Sequence, residues 1–143
     1  MTLEELDLMI EKDLQLDKSE LAREQLRTPS LHNKYNKILI DQKYQLRKRQ
    51  TEYDEQYLKR WQFYRGKAPL LDYQNQEFER GTKVLEKDVP MYLNADPILK
   101  PFKDRLYDQK ELVSFLERTL KEINQRGWAI KNIIESNKFD QGM

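Results

Sequence analysis

The stretch PSLHNKYNKILIDQKYQLRKRQTEYDEQYLKRWQFY, from Pro29 to Tyr64, decides the fold. After its opening proline it contains no Gly or Pro, so nothing in it forces a helix to stop. Leu31, Tyr35, Ile38, Leu39, Gln42, Leu46, Tyr53, Tyr57, Trp61 and Tyr64 recur at three- and four-residue steps, the spacing of one helix face. Several repeat every eleven residues: Leu31/Gln42/Tyr53/Tyr64, Tyr35/Leu46/Tyr57 and Leu39/Gln50/Trp61. An eleven-residue period keeps one stripe nearly aligned on a straight or slightly right-handed helix. At about 1.5 Å per residue such a helix is roughly 50 Å long. It should therefore pack along a partner helix or a second subunit.

On the N-terminal side, Thr2 and Glu5 have the spacing of a capping box, followed by Leu3, Leu6, Met9, Ile10 and Leu14 at helical spacing. This predicts a helix from Leu3 to Leu14. Asp17 or Ser19 can cap a second helix carrying Leu21, Ala22 and Leu26. Thr28-Pro29 then reads as an N-cap followed by proline at the first helical position; a kink in a continuous helix is the alternative. On the C-terminal side, Gly66-Lys67-Ala68-Pro69 ends the long helix. Residues 66–96, punctuated by Gly81 and Pro90, are expected to form an irregular connector. Thr82–Leu85 and Val89–Leu93 could be short extended pieces within it. Asp96-Pro97 opens a last helical region with the apolar face Phe102, Leu106, Leu112, Phe115, Leu116, Leu120 and Ile123. That phase continues through Ile130 and Ile134. Gly127 falls on the stripe, where it either lets another helix approach closely or breaks this one. The expected architecture is all-α: one helical domain over 1–143, with N-terminal helices in 1–65, the connector at 66–96 and an assembly segment at 97–143. Leu112, Leu116, Leu120, Ile123, Ile130 and Ile134 exceed what one small domain should need, which points to a homo-oligomeric helical assembly.

Composition excludes several classes. Of 143 residues, 38% are hydrophobic and 36% charged, enough for a core but poor for a lone monomer of this size. No stretch approaches the roughly 20 apolar residues of a membrane span. The acidic start Met1-Thr2-Leu3-Glu4-Glu5 lacks the features of a signal peptide. With no Cys there are no disulfides or thiolate metal sites, and a reducing cytoplasm is the simplest compartment. The one histidine, His32, lies in a helical context, and acidic pairs such as Glu4/Glu5 and Asp54/Glu55 are consecutive and diverge on a helix. No phosphate-binding glycine loop or metal-ligand spacing occurs. The chain is expected to work by binding, with no cofactor, metal or catalytic group.

Charge is unevenly spread. Residues 1–30 hold 4 Lys/Arg against 8 Asp/Glu, residues 31–67 hold 10 against 4, and residues 68–143 hold 12 against 13. All the positive excess lies in the middle segment. Arg47-Lys48-Arg49 form one cluster; Lys59-Arg60, Arg65 and Lys67 form another. Lys37, Lys48 and Lys59 are eleven apart, as are Arg49 and Arg60, so they make a stripe whose members lie about 16 Å apart. Tyr53, Tyr57, Trp61, Phe63 and Tyr64 are interleaved. Cations can neutralise phosphates while aromatic faces stack on unpaired bases, which suits single strands. The plainer reading is an ion-paired helix surface: Asp41, Glu52 and Glu55 stand at i,i+4 from Lys37, Lys48 and Lys59, and the aromatics continue the apolar pattern. Trp61 fits either stacking or burial. Both readings stay open on the residues alone, the second corresponding to a scaffold or chaperone without nucleic-acid binding.

The C-terminal string from Glu122 to Ile133, EINQRGWAIKNI, followed by Phe139 and Gly142, resembles the end of the UvsY recombination mediators of T-even-like phages, with their Arg-Gly-aromatic-Ala-Ile-Lys segment. Leu3-Glu4-Glu5-Leu6, Lys12-Asp13, Leu16-Asp17, Leu31 to Tyr35 and Leu58 to Gly66 resemble other parts of that family, and the likeness is weakest over 67–90. The resemblance implies a homo-oligomeric, ring-like protein that binds single-stranded DNA. It implies too that the protein helps a RecA-like recombinase displace single-strand-binding protein. The family's Leu-Lys-Ala-Arg motif falls on Tyr57-Leu58-Lys59-Arg60. Arg60 matches directly, whereas the lysine stands one place later, about 100° around the helix. The expected DNA-binding residues are Arg47, Lys48, Arg49, Lys59, Arg60, Arg65 and Lys67.

Overall fold

The computed structural model describes residues 1–74 and 84–142. Helix α1 spans Leu3–Asp13 and begins in the predicted capping box. The Glu5 amide donates to Thr2 Oγ1 at 3.1 Å, and the Thr2 amide donates to Glu5 Oε2 at 3.0 Å. Asp17 Oδ1 accepts from the Ser19 amide at 3.0 Å and caps a single 3₁₀ turn, Lys18–Glu20. That turn passes directly into α2, Leu21–Tyr64, a helix of 44 residues.

Pro29 lies inside α2, so the reading of Thr28-Pro29 as the start of a new helix is corrected in favour of a continuous one. Proline leaves the Gln25 carbonyl, four residues back, without its helical donor; side-chain bonds tie the neighbouring residues. The Thr28 hydroxyl donates to the Glu24 carbonyl at 3.3 Å, and Arg126 Nη1 reaches the same carbonyl at 3.4 Å and Thr28 Oγ1 at 3.3 Å.

Helix α2 ends in a Schellman motif. Gly66 takes a positive φ of 71°, which a side chain would resist. Its amide donates to the Phe63 carbonyl at 3.1 Å, and that of Lys67 to the Gln62 carbonyl at 2.8 Å. The connector carries 3₁₀ turns at Leu70–Tyr73 and Glu86–Asp88 and a short helix α3, Val89–Asn94. Val89–Leu93 is thus helical, not extended, because Pro90 fits the first turn, where its missing N–H costs nothing. Of the other suggested extended piece, Thr82 and Lys83 lie outside the described residues. No strand occurs among the described residues. Helix α4 runs from Lys100 to Asp140 without a break at Gly127.

The chain forms two compact units, one comprising Met1–Tyr44 with the residues from Glu111 onward, the other Gln45–Lys110. The sequence divisions at 65/66 and 96/97 both fall inside the second.

In the first unit, Leu6 and Ile10 of α1, Leu31, Tyr35 and Leu39 of α2, and Leu112, Val113, Leu116, Ile123 and Ile130 of α4 are buried. The α4 stripe expected to form an assembly surface is therefore mostly spent within one chain; Leu120 and Ile134 are half-buried. Polar ties fix the helices to one another. Asp13 accepts from Lys34 Nζ at 2.5 Å and from the Tyr35 hydroxyl at 2.6 Å. Burial, reinforced by that carboxylate, pushes the Tyr35 phenol well above its ordinary range. Glu24, 4% exposed, pairs with Arg126 and with Arg27. Next to Arg126, Gly127 lets α2 and α4 approach closely: a Cβ there would stand 3.2 Å from Thr28 Cγ2. Removing one partner of a buried ion pair leaves the other charge uncompensated. Glu24→Ala is expected to cost about 3–5 kcal/mol of folding stability, read as a lowered denaturation midpoint; an unchanged midpoint would assign this unit's stability to its apolar core alone.

Candidate nucleic-acid interface

The second unit is built on aromatic packing. Phe63 and Tyr64 of α2, Ala68, Tyr73 and Val84 of the connector, Val89 and Leu93 of α3, and Leu99 form its buried cluster. The Phe63 and Tyr73 rings stack at 4.7 Å with 17° between planes. The Tyr73 hydroxyl donates to the Phe63 carbonyl at 2.8 Å, closing the connector onto the helix end. Tyr53, Tyr57 and Trp61 pack against this cluster, half-buried, with Tyr57 and Trp61 stacked at 6.4 Å. Trp61 is thus part of the packing, the burial side of its two readings.

Arg60 lies inside the unit. It is 8% exposed, and its Nε donates to Asp96 Oδ2 at 2.7 Å. Its guanidinium carbon sits 4.1 Å from the Phe63 ring centroid and 5.4 Å from that of Tyr64. Asp96, 1% exposed, uses Oδ1 to accept from the amides of Ile98 at 2.7 Å and Leu99 at 3.1 Å, one turn before α4. Burial raises the Asp96 pKa, but hydrogen bonds from Arg60, Tyr64 and the two amides outweigh it, holding the carboxyl below its ordinary value. Arg60, expected to face DNA, is buried in this structure, where it forms an internal tie. Its side chain is committed to a buried carboxylate and two rings. The local sequence shows Arg60 among other cations and does not reveal an acid 36 residues away. Along the chain Asp96 marks only the start of the last helical region, and nothing beside it points to a cation.

The remaining predicted cations divide into two groups. Arg49 is half-buried and paired with Glu52 at 3.2 Å, and Arg65 is half-buried with Nη1 donating to the Val84 carbonyl at 2.8 Å. Arg47, Lys48, Lys59 and Lys67 are exposed. Lys48 and Lys59 have no ion-pair partner among the described residues; Glu52, expected beside Lys48, faces Arg49 instead. Among the described residues no group of His, Cys, Asp and Glu could hold a metal ion. No helix there is long and apolar enough to cross a membrane.

A family model described as the recombination, repair and ssDNA binding protein UvsY matches residues 9–143. The chain belongs to the UvsY family. Crystal structures of the bacteriophage T4 recombination mediator protein UvsY have the same fold. In lattice type II the TM-score is 0.87 at 23% identity, covering 99% of this chain and 98% of that one. In lattice type IV it is 0.85 at 22% identity, covering 97% and 99%. No curated protein matches the chain by sequence. Within this UvsY-family chain the two adjacent cations have separate placements: Lys59 faces solvent and Arg60 faces the core.

A carboxyl held below its unfolded value stabilises fully above the unfolded value and stops doing so as pH falls through the folded one. Asp96→Asn should therefore reduce stability at neutral pH and flatten the loss of stability that the parent chain shows below about pH 4. Denaturant titrations stepped from pH 7 to pH 3 test this. Parallel acid limbs in the two proteins would place the titrating group elsewhere.

Proposed function

We propose that this chain is a recombination mediator that binds single-stranded DNA and promotes loading of a RecA-like recombinase in place of single-strand-binding protein. Family membership supplies the class of activity. The observation that carries the DNA reading is that four of the expected cations of the second unit face solvent: Arg47, Lys48, Lys59 and Lys67. Cations held in water neutralise phosphates without a folding penalty and release condensed counterions. Arg49 and Arg65 contribute to the local positive field from half-buried positions, and Arg60 supports the surface from beneath.

The protein acts by binding, not by covalent chemistry, in the cytoplasm of the host cell. A few phosphate contacts per chain give weak attachment, so several copies acting on one strand are needed for useful affinity. A ring-like homo-oligomer supplies them. Leu26, 81% exposed, Trp128, 64%, and Phe139, 82%, are apolar side chains that a second copy would cover in such an assembly.

Replacing Arg47, Lys48, Lys59 and Lys67 together by Ala should weaken single-strand binding and flatten the dependence of log affinity on log salt by about 0.7 for each phosphate no longer neutralised. The denaturation midpoint should move little, because these groups are exposed. On strands coated with single-strand-binding protein, the same variant should slow recombinase filament formation. Unchanged affinity and salt slope would move the DNA surface elsewhere on the molecule.

A further inference from the structure

Beside Lys59 the second unit has an open cavity of about 330 Å³, lined by Gln56, Lys59, Arg60, Leu71, Asp72, Gln74 and Ile98. The volume is near the lower end of the roughly 300–1,000 Å³ that small-molecule sites occupy. Its lining is chemically mixed. Leu71 is 70% exposed and Ile98 40%, so two apolar side chains stand unshielded at a polar opening. Two glutamine amides each offer donors and an acceptor. Arg60 forms a wall that does not adapt, since Asp96 and Phe63 fix its guanidinium.

We propose that this cavity receives one unstacked nucleotide of the bound strand, a step that rests on the reading of this surface as the single-strand interface. Apolar contact with Leu71 and Ile98 suits the faces of a base, and the amides of Gln56 and Gln74 suit its hydrogen-bonding edge. The adjoining phosphate lies on the Lys59 side, away from the Asp72 carboxylate, which repels it. A strand whose base is drawn out at intervals is held at fixed spacing along the protein. Recognition of a base, in addition to charge, distinguishes single strands from duplex, in which bases are stacked and paired.

The test compares two oligonucleotides of equal length, one a thymidine homopolymer and one with abasic sites throughout, binding to the full-length protein across a salt series. The parent chain should prefer the base-bearing strand by roughly tenfold. Gln56→Ala and Leu71→Ser, both outside the buried core, should each reduce that preference at least about threefold while leaving the salt slope intact. If both variants keep the parental preference while the parent binds both strands in a salt-dependent way, the cavity holds no base and the DNA surface stands. If the parent retains neither strand, the single-strand reading fails and the pocket assignment fails with it.

Discussion

The buried pair Arg60–Asp96 organises the second unit. One carboxylate meets the arginine of α2 with one oxygen and caps the turn leading into α4 with the other. The arginine in turn lies over the ring of Phe63, whose carbonyl accepts from Tyr73 and whose ring stacks on it. Helix end, connector and helix start thus meet around one charge pair. Taking either charge out of water alone costs several kcal/mol, so each group is tolerable only while the other is in place. That constraint ties Lys59 to one orientation: with Arg60 turned inward, the residue before it on the helix is carried about 100° away, toward solvent.

The first unit uses the same device with the charges exchanged. There the carboxylate, Glu24, is on α2 and the guanidinium, Arg126, is on α4. Such pairs add little net stability against well-packed apolar residues of similar size. Their value lies in register. An apolar stripe repeating along two long helices offers similar packing if one helix slides past the other. A slide that separated Glu24 from Arg126 would leave both charges buried and unpaired, and it would move Gly127 away from Thr28, where only a residue without a Cβ fits unhindered. These two one-to-one fits thus reject alternatives that the apolar pattern accepts.

The same division between repeating pattern and single pairs separates what is legible in the sequence from what is not. The eleven-residue repeat correctly locates the inward face of α2: Leu31, Tyr35, Leu39, Gln42 and Tyr64 are buried, and Leu46, Gln50, Tyr53, Tyr57 and Trp61 are half-buried. The opposite face follows in part: Lys37, Lys48 and Lys59 are all exposed, whereas Arg49 and Arg60 of the same expected stripe are half-buried and buried. Periodicity is a local property, so it can be read along the chain. The role of Arg60 cannot, because it depends on a partner beyond the connector. Pro29 misleads for a related reason: its local effect is a missing hydrogen bond, while the helix around it is held by contacts to Arg126, about a hundred residues further along. The apolar stripe of α4 is legible as buried, but not as buried by the same chain rather than by another copy.

The internal use of Arg60 also changes the electrostatics of the candidate surface. The positive excess of residues 31–67 overstates what a strand meets, because Arg60 is neutralised within the core by Asp96, which lies outside that segment, and Arg49 and Arg65 are half-buried. The solvent-facing cations are fewer, and most are lysines: compact, hydrated charges on flexible stems. Such attachments are weak singly, tolerant of sequence and quickly broken. Under the proposed function, in which a strand is held while another protein coats it, this balance is needed. In the proposed assembly, tight arginine forks would resist an incoming filament, whereas several lysines shared among copies would let go one at a time. Burying the arginine and exposing the neighbouring lysine gives the fold its tie and leaves the surface reversible.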